Sequence, residues 1–303
     1  KPFLEPIAAA AGGARTEAAP PYPPSPIVTE VRWAPADTVV RKASGSDNWP
    51  ITSAADGTMY TAYGDGWGFE PKVKEKLSLG FAKITGAPTD FTGVNVRSST
   101  GETRGDGPRG KKASGILAVD GVLYILARNA DNSRVASSKD GGRTWVWCDW
   151  RFSESFGCPT FLNFGPDYGD ARDEFVYVYS PDTDTAYVPA DRMVLARVAK
   201  DRITRRQAYE FFQRLDERGN PVWTRDIGQR GAVFEHSGHC GRSIVSYNRG
   251  LGRYLWVQVL TGHDPEDRTG LAIYDADQPW GPWTTVYHAA DWDIAPGETA
   301  GFP

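Results

Sequence analysis

Ile51-Thr-Ser-Ala-Ala-Asp-Gly-Thr-Met-Tyr-Thr-Ala-Tyr63 sets an Asp-Gly pair between two short β-rich runs, a strong short-range hairpin signal. The same grammar returns in Gly115-Ile-Leu-Ala-Val-Asp-Gly-Val-Leu-Tyr-Ile-Leu-Ala127. A third unit runs from Pro159-Thr-Phe-Leu-Asn-Phe164 into Glu174-Phe-Val-Tyr-Val-Tyr179. A fourth leads from Ser243-Ile-Val-Ser-Tyr247 through Asn248-Arg-Gly-Leu-Gly-Arg253 into Tyr254-Leu-Trp-Val-Gln-Val259. Their irregular spacing fits four-stranded sheets that carry variable insertions. Repeated hairpins of this kind point to blades around a central axis. The predicted fold class is therefore all-β, a β-propeller, with a two-sheet sandwich as the rival.

Composition agrees with that class. The 303 residues include 33 Gly and 22 Pro, ample punctuation for short strands. With 11 Trp and 13 Tyr the chain holds more rings than a core needs. Most of these rings belong between sheets, while a surplus suits a sugar-facing surface, because flat rings stack on sugar faces. The net charge is −4 and no polybasic stretch occurs, so nucleic acid is not an expected partner. No apolar run is long enough to cross a membrane as a helix. The basic side is mostly Arg, whose planar fork suits carboxylate or sulfate groups.

Residues 1–30, rich in Ala, Pro and Gly at their start, read as a flexible arm, and residues 31–303 as one propeller domain. Such an arm is what remains after removal of an export signal, so the expected location is secreted or periplasmic. Cys148, Cys158 and Cys240 are too few for a disulfide framework; Cys148 and Cys158 pair across a short connection, or all three are buried thiols. Asp201-Arg-Ile-Thr-Arg-Arg-Gln-Ala-Tyr-Glu-Phe-Phe212 has roughly helical apolar spacing and predicts a helical insertion in the third blade.

Ser138-Lys-Asp-Gly-Gly-Arg-Thr-Trp145 matches the Asp-box, Ser-x-Asp-x-Gly-x-Thr-Trp, of sialidase-like propellers. Ser138 and Asp140 are expected to bond turn amides, the glycines to take positive φ and Trp145 to cover the fold. This motif marks the fold and carries no catalytic role.

Candidate chemistry lies where loops lead into inner strands. Ser46-Asp-Asn-Trp-Pro50 precedes the first hairpin, and Tyr63-Gly-Asp-Gly-Trp-Gly-Phe-Glu-Pro71 follows it. If the strands pair about Asp56-Gly57, Asp47 and Asp65 lie at one end, beside Trp49 and Trp67. Paired carboxyls are what glycosidic hydrolysis needs, one as acid and one as base or nucleophile. Ordinary turn-capping is the bland alternative for both. Arg97, Arg104 and Asp106 belong to a polar loop able to bind hydroxyls or anions, or merely a solvated one. Glu235-His-Ser-Gly-His-Cys-Gly-Arg242 precedes the fourth inner strand. His236, His239 and Cys240 are zinc-ligand types without a complete four-ligand signature, so no cofactor is expected and a structural metal is the alternative reading of this stretch. His239 with Tyr247 is a proton-abstracting pair for a lyase, and Arg242 stands beside them. Glu298 precedes an expected fifth inner strand.

Asp47-Asn-Trp-Pro-Ile-Thr52, Tyr63-Gly-Asp-Gly-Trp-Gly68, Tyr247-Asn-Arg-Gly-Leu-Gly-Arg-Tyr-Leu255 and Pro279-Trp-Gly-Pro-Trp-Thr284, in that order, resemble an uncharacterised-domain family of five-bladed propellers. That family includes microbial endo-D-arabinanases, and the resemblance runs from about Val31 to the end. It implies five blades and a polysaccharide-degrading hydrolase with an aspartate pair in the funnel, carried onto Asp47 and Asp65 only. The His236–Cys240 stretch and the loop from Arg97 to Lys112 fall outside the matched motifs. The chain stops at Gly301-Phe-Pro303, so the last blade is expected to be cut short. The alternatives are a lyase acting on a uronic-acid or sulfated glycan and a non-catalytic glycan-binding propeller.

Overall fold

The structure, a computed structural model, describes residues 19–260, 270–290, 292–295 and 298–299. The first blade is β1 (Ile51–Ser53), β2 (Met59–Tyr63), β3 (Gly80–Ala87) and β4 (Asp90–Val96), all antiparallel neighbours. The second is β5 (Lys112–Val119), β6 (Val122–Arg128), β7 (Ser133–Ser138) and β8 (Val146–Trp147). Both Asp-Gly turns form as their residue types require: Gly57 and Gly121 have φ of 81° and 75°, and Asp120 has φ of 50°.

The third blade starts with β9 (Thr160–Asn163), β10 (Phe175–Pro181) and the long β11 (Ala190–Ala199). Two strands then share the edge of β11. β12 (Glu210–Leu215), extended by β13 (Pro221–Thr224), pairs with Ala196 and Arg197, and β14 (Phe234–Cys240) pairs with the start of β11. The helix predicted over 201–212 does not form. Lys200–Arg202 and Arg206–Ala208 are 3-10 turns, and Glu210 begins β12. The edge of β11 offers unpaired backbone groups, and Phe211 and Phe212 bury against the core as a strand. Tertiary pairing here overrides helical spacing.

The fourth blade is β15 (Ser243–Asn248), β16 (Arg253–Leu260), β17 (Gly270–Ala276) and β18 (Thr284–Ala289). A two-stranded pairing of β19 (Asp293–Ala295) and β20 (Glu298–Thr299) follows it. The inner strands β1, β5, β9 and β15 converge on one axis. There a narrow cavity of about 70 Å³ is lined by all four, from Ile51, Ile116, Phe161 and Ile244 among others. β9 and β15 pair in parallel, Val245 with Leu162. The fold is an all-β, five-bladed propeller. The expected truncation of the last blade falls outside the described residues.

Blades are joined by their faces. Phe81 of the first stacks on Trp145 of the second with centroids 4.9 Å apart, and the Thr52 hydroxyl accepts from the Ala118 amide at 3.0 Å. Between the third and fourth blades Tyr179 meets Trp256 edge-on at 5.0 Å, and its hydroxyl donates to the Pro279 carbonyl. Part of the stretch read as a flexible arm is docked. Tyr22 packs on Phe234 at 5.0 Å and accepts from the Glu235 amide, while Pro24 bridges Thr285 in parallel beside β18. The three cysteines are free thiols, so Cys148 and Cys158 are not bridged.

Candidate active site

Chain direction sorts the loops. Each inner strand runs away from one end of the axis, here called the mouth, and its neighbour returns to it. Residues just before β1, β5 and β15, or just after β2 and β6, therefore sit at the mouth.

Asp47 and Asp65 meet there. An antiparallel bridge joins Asp47 to Gly64, with amide-to-carbonyl bonds of 2.9 and 2.7 Å in the two directions. Asp65 is the next residue along. The backbone is contorted at both places, with φ of 60° at Asn48 and 42° at Asp65. Asn and Asp tolerate the left-handed region better than other non-glycine residues, and such conformations cluster at functional sites. Glycine at position 64 leaves room for the carboxyl: a Cβ there would stand 3.0 Å from Asp47 Oδ1. Ser46 binds the two loops together, its hydroxyl accepting from the amides of Trp67 and Gly68 at 3.0 and 2.9 Å.

The environments of the two carboxyls differ. Asp65 forms an ion pair with Lys112, the first residue of β5, whose side chain is buried. Oδ1 of both aspartates is buried without a hydrogen bond that meets geometric criteria, and only that of Asp65 has a charge beside it. A buried polar atom in that state is open to a bond from water or from a ligand. Asn48 crosses to the second blade, donating to the Ala113 carbonyl at 2.5 Å and accepting from Arg128 at 3.5 Å. Arg128 ends β6 and is buried; it donates to the Tyr187 hydroxyl at 3.0 Å. Arg242 reaches the same ring, its guanidinium carbon 5.8 Å from the centroid against 5.5 Å for Arg128. Burial, and then the neighbouring Arg128, push Arg242 below its ordinary pKa.

The other expected residues divide. Trp49 and Trp67 are half-buried and pack inside the first blade, Trp49 on Tyr63 and Phe69 with both centroids at 5.4 Å. They support the loops from behind. Asp106 lies at the rim of the mouth and pairs with Lys76 at 2.9 Å. That bond chiefly raises the Lys76 pKa, with Asp65 and Asp47 adding in the same direction. Arg97 and Arg104 line an open groove of about 670 Å³ on the outer side of the first blade. There they are ion-paired, Arg97 with Glu102 at 2.7 Å and Arg104 with Glu75. Their expected place in the funnel is corrected: the loop turns them outward onto carboxylates of its own blade.

Tyr247 is also corrected. It lies near the far end of β15, about 13 Å from Ser243 at the usual rise per residue. It packs there on Phe164 and Tyr254 at 5.5 and 5.1 Å. It therefore cannot pair with His239 as a proton-abstracting couple. His239 on β14 lies 4.6 Å from the His236 ring, which in turn is 5.9 Å from His288. Burial, reinforced by the other two histidines, lowers the His236 pKa to about 4. Among the described residues no group of three His, Cys, Asp or Glu side chains is placed to hold a metal. Glu298 belongs to β20, and its side chain lies outside the described residues.

Lys112, Arg128, Asn48 and Tyr187 were not expected at the site. Lys112 and Arg128 flank the second hairpin just as Asp47 and Asp65 flank the first, so the same positional rule finds them.

A family model described as "Domain of unknown function (DUF4185)" matches residues 126–302. A comparison with curated proteins gave no match. Among solved structures, a candidate hydrolase from Bacteroides ovatus superposes with a TM-score of 0.52 at 13% identity, over 83% of this chain and 72% of that one. A GH43_1 enzyme from Xanthomonas citri complexed with xylose gives 0.48 at 16%, over 84% and 78%. An α-L-arabinofuranosidase from Podospora anserina in complex with cellotriose gives 0.43 at 11%, over 88% and 72%. These likenesses bear on the fold alone.

Proposed function

The chain belongs to the DUF4185 family, and from the geometry of its mouth we propose that it is a glycoside hydrolase using Asp47 and Asp65 as its carboxyl pair. The observation that carries this reading is the Asp47–Gly64 bridge, which sets two carboxyls side by side at the mouth, each with a buried oxygen.

The chemistry divides between the two residues. One carboxyl protonates the glycosidic oxygen as it leaves, and the other attacks the anomeric carbon or activates water. Lys112 orients Asp65 and offsets its charge in a site shielded from water. Asn48 and Ser46 hold the loops so that neither carboxyl has to be reorganised during reaction. The hydrolase description of the Bacteroides ovatus protein accords with the reading. The motif resemblance points further, to a D-arabinan as the polymer. With a polysaccharide as substrate, we read the protein as secreted or periplasmic.

The test is a polysaccharide panel that includes D-arabinan, scored for new reducing ends and for the ultraviolet absorbance of an eliminated product. Asp47→Asn and Asp65→Asn are run beside the parent. Reducing ends without absorbance, lost in both folded variants, support the hydrolase. Absorbance that survives both substitutions overturns it.

A further inference from the structure

The groove that Arg97 and Arg104 line adjoins the mouth. Its wall includes Glu75 and Leu77, which flank Lys76, and Lys76 is paired with Asp106 at the rim. Leu77 is bridged to Gly66, the residue after Asp65, with amide-to-carbonyl bonds of 3.0 and 2.8 Å in the two directions. The opposite wall is tied to the same loop. There the Asn95 carboxamide accepts from the Phe69 amide at 2.9 Å and donates to the Phe69 carbonyl at 2.8 Å. The exposed Lys76–Asp106 pair thus forms a sill between the mouth and a groove of about 670 Å³, an ordinary size for a ligand site.

The lining suits a neutral, hydroxylated ligand. Arg97 is paired with Glu102, Arg104 with Glu75 and Lys72 with Glu70, so these charges are answered within the protein. An arginine seated on a carboxylate sets N–H donors beside oxygen acceptors, and neighbouring sugar hydroxyls can meet both. Both arginine side chains stay well exposed to the groove. Ser99 adds a hydroxyl, and the exposed Val94 an apolar strip for the C–H face of a ring. From this continuity and lining we infer that the groove holds further sugar units of the neutral polymer cleaved at the mouth, the chain crossing the sill at Lys76 and Asp106. The inference rests on the hydrolase reading for its ligand being a glycan, and on the groove's junction with the mouth for the path. Units bound here, away from the reacting bond, supply binding energy that seats the sugar against Asp47 and Asp65.

The test measures kcat/KM on oligosaccharides of increasing length from the polymer that the panel shows to be cleaved, D-arabinan being the one expected. The parent is expected to gain about tenfold or more once the chain is long enough to pass the sill, the scale of one or two added hydrogen bonds. In Ser99→Trp, whose indole fills the groove, and in Arg104→Ala, the ratio of long to short falls toward one. The comparison of lengths on the parent needs no variant to fold. A parent indifferent to length, or a gain that both variants keep, overturns the inference and leaves the hydrolase standing. A gain confined to acidic oligosaccharides overturns the neutral ligand. If no polymer is cleaved, calorimetry on the parent with short and long oligosaccharides of each panel polymer decides. Affinity that rises with length and is lost in Ser99→Trp keeps the inference while the hydrolase fails. Absent binding, or binding that Ser99→Trp and Arg104→Ala leave intact, overturns it.

Discussion

Asp140 and Asp47 are both aspartates in tight loops of a propeller, and they are held in opposite ways. Asp140, in the Asp-box between β7 and β8, is satisfied throughout. It accepts from the Ser138 hydroxyl at 2.8 Å, the Thr144 amide at 2.9 Å and the Thr144 hydroxyl at 2.7 Å. These bonds, those from Thr144 first, draw its pKa down to about 2. Gly141 and Gly142 supply φ of 68° and 86°, and Trp145 closes the turn with its indole donating to the Gly142 carbonyl. Asp47, at the other end of the molecule, keeps a buried oxygen with nothing to bond. The first aspartate is bound up in the fold, and the second is the one we propose for chemistry. A motif that the structure satisfies internally is thus a poor guide to chemistry.

That contrast is open to attack. Asp47→Asn is expected to lower activity by about a hundredfold or more, the usual scale of acid–base participation, with melting temperature nearly unchanged. Asp65→Asn, which strands the buried Lys112 ammonium, is expected to lose activity alike and to cost about 3 kcal/mol in stability as well. A loss of folding in step with activity would erase the distinction. Trp145→Ala, in the satisfied turn, is expected to cost about 3–5 kcal/mol in chemical denaturation, with residual activity retained in the folded fraction. Gly64→Ala sharpens the case on the other side: its new Cβ would press on Asp47 Oδ1, so kcat should drop several-fold while stability moves little. The smallest effects are titrations. Asp140 has a folded pKa below its ordinary 3.8, so the stability it contributes is present above that value and is lost as pH falls through about 2. Acid melts of Asp140→Asn should lack that component. His236 behaves likewise in a higher window. Its folded pKa near 4 lies below the ordinary 6.5, so stability should decline as pH falls from about 6.5 to 4, less so in His236→Gln.

How much of this could be read beforehand follows from the range of the forces involved. Asp-Gly turns and alternating runs are local, and all four hairpins formed where their residues placed them. The Asp-box was legible for the same reason. The helical spacing over 201–212 misled because the unpaired edge of β11, distant in sequence, decided the matter. Within the site, Asp47 and Asp65 were brought together by a hairpin whose register is set by its own turn. Arg97 and Arg104 were misplaced because composition identifies a polar loop but not the side toward which it turns. Tyr247 was misplaced by strand direction, being read at the wrong end of β15.

Lys112 and Arg128 also set a course for laboratory evolution. A sheet that keeps an ammonium and a guanidinium side by side away from water has an inexpensive route to greater heat resistance, namely to lose one of them. Libraries screened for thermal survival alone should therefore accumulate apolar replacements at position 128, where no carboxylate partner is stranded by the change. Lines propagated on substrate should retain the arginine. Divergence of the two populations at that one position would measure how far robustness and turnover are opposed in this scaffold.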